Sequence, residues 1–332
     1  MKVRKYVVII VMLAITAILS ISCSNPKTKT EDLSEPKKKV IGVSALTFQL
    51  EYYSEYAQSI KKSANRNGIK IMVTDSMWNI DKQISDIEGF INNKVDAIIC
   101  SPVEPNEIKP FLIKAEEAGI PVVVEMTKVD GINPLVCTDQ EAGGELAGKY
   151  VGEWINYRYG GYCDVAIIDF PYFQNTIDRV KGFKKGLAET APHARIVASI
   201  DGKAKLETAM KAMEDILQKY PHVRCVFGIN DDSAKGANAA YEGTIIPPED
   251  VCIIGFDADL GTKKMINAHR YIKGSVYADT EKIAEACINA ALNKIRGEKN
   301  TQNWINVIGA QFLITQENIS KYYKPEDSGL IN

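Results

Sequence analysis

The stretch VDAIICSPVEPNEIKPFLIKAEEAGIPVVV (residues 95–124) decides the fold. It opens on an apolar run from Asp96 to Cys100. A helical segment follows, from Glu107 to Ala118, and ends at Gly119 and Pro121. A second apolar run then extends from Pro121 to Glu125. Near-continuous apolar strands, lacking polar alternation, belong to sheets covered on both faces, and such sheets are parallel. Glycine and proline after the helical pattern mark its stop. The stretch therefore reads as one parallel strand–helix–strand unit.

The same alternation continues in both directions. Strands are expected over 40–46, 69–74, 164–169, 195–200, 225–229 and 251–256. Between them lie helical patterns such as 81–92, where Ile84, Ile87 and Ile91 recur at spacings of three and four. Eight such units close into a barrel or divide into two open sheets. Division is favoured by TKVDGINPLVCTDQ (127–140), where the rhythm lapses between two sets of four. The expectation is an α/β protein of two Rossmann-like lobes with parallel sheets, broken near residue 138. A further strand (271–277), a helix (279–296) and an extended piece near WINVIG (304–309) are expected to cross back between lobes.

The length of 332 residues agrees with two domains. Forty basic residues against 42 acidic ones leave a formal charge of -2, which argues against a nucleic-acid surface. Lys2, Arg4 and Lys5 precede an apolar run, Tyr6 to Leu19, and small residues lead to Cys23: the pattern of an export signal. A cysteine there resembles a bacterial lipobox, with Ser20 where leucine is usual, and makes Cys23 the candidate lipid attachment site. An uncleaved anchor and a plain secretory signal are the alternatives. The polar segment 24–39 reads as a flexible tether. The other six cysteines lie mostly in apolar strand-like runs and read as buried thiols.

Ligands of open parallel sheets bind beyond the carboxyl ends of the strands. The residues there are Phe48, Tyr52, Tyr53, Ser76, Trp78, Ser101, Glu125, Thr127, Asp139, Gln140, Tyr172, Gln174, Arg179, Asp201, Asn230, Asp231, Asp232, Asp257 and Asp259. Carboxylates, amides and a guanidinium beside aromatic faces suit a sugar, with its hydroxyls and its C–H faces. Many Asp and Asn residues at such junctions are turn formers or helix caps, and Asp231 or Asp232 reads as a cap. The adjacent Tyr52 and Tyr53 point roughly 100° apart on a helix, too far for one narrow core stripe to bury both, so one is expected to wall the cleft. Catalytic signals are missing from the sequence: His193, His222 and His269 are widely spaced, and no nucleophile elbow occurs. GGELAGKY (143–150) resembles a phosphate loop but has Tyr150 where Ser or Thr is needed; it reads as close helix packing.

The stretch 95–124, together with TDQEAGGELAG, RVKGF, CVFGINDDSAKGANAA and IIGFDADL, resembles type 1 periplasmic solute-binding proteins of the ribose-binding kind, over about residues 40–300. The resemblance implies two lobes joined by a three-stranded hinge, closing on a sugar that is delivered to an ABC permease. It places Tyr52 and Tyr53 where ribose binders stack phenylalanines, and carries Asn230 and Asp257 over as ligand contacts. It also shows departures. Glu125, Met126 and Thr127 stand around the position of an Asp-Arg pair, Ile177 replaces an arginine, Ala204 an aromatic, and Ala278, beside Asp279, the hinge glutamine. Ribose itself is therefore not expected.

The ligand-binding candidates are Tyr52, Tyr53, Ser101, Glu125, Thr127, Asp139, Arg179, Asn230, Asp257 and Asp279. With so many carboxylates facing inward, the expected solute is neutral or cationic. The expected organisation is a signal peptide (1–23), tether (24–39), N-terminal lobe (40–138 with 279–305), C-terminal lobe (139–278 with 306–323) and tail (324–332). The function this implies is that of an extracytoplasmic lipoprotein, monomeric and without cofactor, metal or enzymatic activity, that captures a small sugar-like solute for an ABC permease. The alternative is a sensor presenting its closed form to a membrane kinase or chemoreceptor.

Overall fold

The computed structural model describes residues 38–298 and 302–324. The expected signal, Cys23 and nearly all of the tether and tail lie outside the described residues. The described residues begin at the end of the expected tether, where Lys39 pairs with Asp96 at 2.9 Å.

The first half of the chain alternates β1 (Val40–Ala45), α1 (Glu51–Arg66), β2 (Lys70–Asp75), α2 (Ile80–Asn92), β3 (Ala97–Cys100), α3 (Pro105–Glu117) and β4 (Val122–Glu125), then adds β5 (Leu135–Cys137). The second runs α4 (Gln140–Tyr159), β6 (Asp164–Asp169), α5 (Gln174–Thr190), β7 (Arg195–Asp201), α6 (Leu206–Lys219), β8 (Val223–Gly228), α7 (Asp231–Glu242), β9 (Cys252–Asp257), α8 (Leu260–Asn267) and β10 (Ile272–Ala278). The chain ends with α9 (Thr280–Ile295), β11 (Trp304–Asn306) and β12 (Gln311–Thr315).

These strands form two six-stranded sheets, β11-β5-β4-β3-β1-β2 and β12-β10-β9-β8-β6-β7. All pairs are parallel except β10 with β12. Each sheet has an apolar cluster on both faces, as the strand composition requires. Ile41, Val43 and Ile99 pack with Tyr56 and Ile288 on one side of the first sheet, while Ile98 and Val122 pack with Phe90 and Leu112 on the other. Val226 and Ile253 face Met213 and Tyr241 in the second sheet, and Phe227 and Ile254 face Phe183 on its reverse.

The region read as a lapse in rhythm contains β5, a strand of three residues, too short to display a pattern and completed by pairing with both β4 and β11. The antiparallel β12 was likewise not expected as a separate strand. The chain passes between the sheets three times, near 138–139, 279 and 307–310. Backbone bonds tie these passages together: Val307 N–H donates to the Cys137 carbonyl at 3.0 Å and Asp279 N–H to the Ala310 carbonyl at 2.9 Å.

GGELAGKY lies within α4 and packs it backbone to backbone on α5. A Cβ on Gly144 would stand 2.0 Å from the Arg179 carbonyl oxygen, and one on Gly182 would stand 1.9 Å from that of Glu141. This approach fixes the height of Arg179 along α5.

Candidate functional site

Strand order reverses between β1 and β3 in one sheet and between β6 and β8 in the other. Such reversals open a crevice at the carboxyl ends of the strands, because neighbouring connections leave to opposite faces. The loops after β1, β2, β4, β6, β7, β8 and β9 converge on one narrow cavity of about 60 Å³. Tyr52, Tyr53, Trp78, Met126 and Thr127 line it from the first half; Phe170, Phe173, Asn175, Arg179, Asn230 and Asp257 line it from the second. A roomier depression of about 460 Å³, at Tyr159, His193, Arg195 and Arg224, opens at the amino-terminal ends of β6 to β8. That is the wrong end of the strands for a ligand of this architecture.

The cavity is narrow because its walls touch. Trp78 reaches across from the first half, its ring centroid 6.2 Å from that of Phe170 and 6.5 Å from that of Phe173. Elsewhere on the rim, Gly261 N–H donates to Glu51 Oε2 at 3.4 Å. The turn that aims Trp78 is strained: Met77 and Trp78 both have left-handed backbones, with φ of 56° and 58°.

The two tyrosines stand in the first turn of α1, and both are buried. Tyr52 stacks on Tyr56 at 6.3 Å, meets Tyr53 edge-on at 5.0 Å and donates its hydroxyl to Glu125 Oε1 at 2.9 Å. The Tyr53 hydroxyl makes no hydrogen bond among the described residues. Ser101 donates to Glu125 Oε2 at 2.7 Å. Glu125 is thus a saturated, buried carboxyl behind Tyr52; burial pushes it up to about 7, while the two hydroxyl bonds and Arg179 pull the other way.

Arg179 is held by the protein itself. Its Nε donates to Gln140 Oε1 at 2.8 Å and Nη1 to the Ile229 carbonyl at 2.9 Å, and its plane lies 3.8 Å above the Phe256 ring. Nη2 stands 3.6 Å from Asp257 Oδ1. Burial raises Asp257 to about 7 despite Arg179. Its carboxylate accepts no hydrogen bond among the described residues, which leaves it available to a ligand.

Of the ten candidates, Tyr52, Tyr53, Thr127, Arg179, Asn230 and Asp257 meet at the cavity. Glu125 and Ser101 lie one layer behind. Asn230 caps α7, accepting from Ser233 N–H at 2.9 Å, so the cap is this residue rather than Asp231 or Asp232. Asp231 is buried and accepts from Asp259 N–H and the Ser275 hydroxyl. Asp139 caps α4 and faces an adjoining depression. Asp279 caps α9 and pairs with Lys282. Neither is brought to the cavity, so the expected concentration of carboxylates reduces there to Asp257, with Glu125 behind.

The sequence DFPYFQN (169–175) was read for Tyr172 and Gln174, which turn outward to Asp201 and Asp178. Their neighbours Phe170, Phe173 and Asn175 face the cavity. The signal was the aromatic cluster itself; only the phase of the loop was wrong.

Two α/β halves presenting strand ends to a shared cavity, joined by three passages of chain, define a cleft-forming solute-binding protein. Residues 41–299 match the family described as the periplasmic binding protein domain, and the chain belongs to that family, with the type 1 fold. It is similar to the ribose import binding protein RbsB of Bacillus subtilis, at 26% identity over 89% of this chain and 95% of that protein. A solute-binding protein of an ABC transporter from Actinobacillus succinogenes, with bound D-allose, superposes with a TM-score of 0.79 at 25% identity, over 86% of this chain and 100% of that one. The arabinose-binding component from Shewanella sp. ANA-3 superposes with a TM-score of 0.77 at 25% identity, over 88% and 97%.

Proposed function

We propose that the protein captures a small sugar-like solute, neutral or cationic, in the cavity between its halves and delivers it to an ABC permease. The lobes turn about the three passages of chain, and contacts from both halves favour the closed form. A lipid on Cys23 holds the protein at the outer face of the membrane, where it acts as a monomer and catalyses no reaction. The observation that carries this reading is the cavity wall: aromatic faces from both halves surround the Tyr53 hydroxyl and the Asp257 carboxylate, neither of which makes a hydrogen bond among the described residues. An anionic solute would meet Asp257, while the one cation among the described lining residues, Arg179, is already held by Gln140, the Ile229 carbonyl and Asp257.

The test is thermal unfolding of the purified full-length protein with monosaccharides, polyols, amino sugars and nucleosides. A solute at one hundred times its Kd adds about 2.7 kcal/mol, seen as a rise of several degrees in Tm. The rise is expected for at least one sugar or polyol and should vanish in Asp257→Ala. A flat response across the panel overturns the assignment.

A further inference from the structure

We propose that Cys163 and Cys225 are a redox pair that closes into a disulfide, stapling the amino-terminal ends of β6 and β8 at the opposite end of these strands from the solute cavity. Such a bond is independent of which solute the cavity takes; the placement outside the membrane proposed above supplies the oxidising setting in which it persists.

The two sulfurs already touch. Cys163 Sγ stands 3.6 Å from Cys225 Sγ across the β6–β8 pair, so bonding distance is about 1.5 Å closer. Cys163 has room for that movement because it precedes β6 and follows the turn at Gly160 and Gly161, where φ is 59° and 93°. Cys225 lies within β8 and is fully buried. The bond joins residues 62 apart in the chain, and closing a loop of that length restricts the unfolded state.

Access comes from one side. Cys163 is half-buried and lines the depression of about 460 Å³, together with His193, Arg195, His222 and Arg224. Arg195 pairs with Asp164, while the Arg224 guanidinium donates to the Pro221 and Val223 carbonyls. Reactive cysteines occupy electropositive, partly exposed places of this kind, whereas buried ones are inert. The adjacent Cys225 thiol, and after it the Arg224 N–H, lower Cys163 towards its thiolate, while burial pushes Cys225 up. Cys163 is therefore the attacking sulfur and Cys225 the resolving one. Cys252, beside Cys225 on β9, is fully buried and does not line the depression.

The oxidant is a small disulfide, and carboxylates on it suit the cationic wall. The Cys163 thiolate attacks one of its sulfurs, the S–S bond breaks, and a thiolate leaves to take a proton from water. Cys225 then attacks the Cys163 sulfur, and the second half of the oxidant departs with the Cys225 proton. Two protein thiols are oxidised and one disulfide is reduced to two thiols.

The test is to incubate the full-length protein with oxidised glutathione, alkylate it and map its peptides, so that every cysteine, Cys23 included, is assigned. A Cys163–Cys225 peptide pair is expected, with Tm raised by several degrees and restored by dithiothreitol. Cys225→Ala should retain glutathione on Cys163, and Cys163→Ala should acquire none on Cys225. Free thiols at both positions, glutathione persisting on Cys163 of the unaltered protein, or a bond from Cys225 to Cys252 would overturn the pair. A Cys163–Cys225 bond that left Tm unmoved would overturn the staple. None of these outcomes bears on solute capture or on export, since the oxidation is read on purified protein without solute.

Discussion

The hydroxyl of Tyr52 donates to Glu125 across 2.9 Å in a fully buried setting, joining the first turn of α1 to the end of β4. Tyr52→Phe removes the donor and leaves one carboxyl oxygen without its partner. A buried acceptor abandoned in this way costs about 1–3 kcal/mol. Urea unfolding should show that loss, and an unchanged midpoint would contradict the role given to this bond.

Glu125 also gives stability a pH dependence. Burial raises it from 4.5 to about 7, so between those values the folded chain holds a proton that the unfolded chain has released. Its contribution is fully present below about pH 4.5 and is lost as the pH rises through 7. Asp257, raised from 3.8 to about 7, acts in the same direction. Glu125→Gln keeps the shape and removes the titration. The decline in unfolding free energy from pH 5 to pH 8 should shrink by on the order of 2 kcal/mol in the variant. An unaltered slope would mean that Glu125 titrates normally.

Among the acidic candidates, Asp257 and Asp139 should separate cleanly. Asp257→Asn keeps a residue type that tolerates its φ of 109° but removes the charge at the cavity, and should weaken solute binding at least about tenfold. Asp139→Ala removes the cap that accepts from Ala142 N–H, and should cost about 1 kcal/mol of stability with affinity unchanged. Calorimetry and thermal unfolding on both variants would reveal an exchange of these roles.

Gly144→Ala places a methyl where the Arg179 carbonyl already stands. The two helices must separate, at a cost of about 3 kcal/mol or more, since the obstacle is backbone. Arg179 moves with α5, so affinity should fall together with Tm. A variant as stable as the parent would show that the helices are packed less closely than described.

The fold was legible because strands buried on both faces announce themselves as unbroken apolar runs, and GGELAGKY announced helices in contact. β5 escaped because three residues cannot display a period, and its place is set by β11, far along the chain. The site was harder to read. Asp139, Asn230 and Asp279 all stand where a strand or passage hands over to a helix, and there the same side chain serves a backbone N–H or a solute equally well; only the direction of the side chain decides. Tyr52 and Tyr53 were legible as a pair with a problem to solve. The solution, one hydroxyl given to Glu125 and the other left facing the cavity, depends on β4, and local sequence does not record it.

The first sheet is completed by elements that lie far from its other strands in sequence. Its edge strand β11 and the packing helix α9, with Ile283, Cys287 and Ile288 in the same cluster as Ile41 and Val43, follow nearly all of the second sheet in sequence. A growing polypeptide therefore carries an open, unfinished layer for almost the whole of its synthesis, while the layer encoded later can assemble most of its strands first. The amino-terminal half is thus made first yet waits for α9 and β11 to close its sheet, and the second sheet waits in turn for its own edge strand, β12.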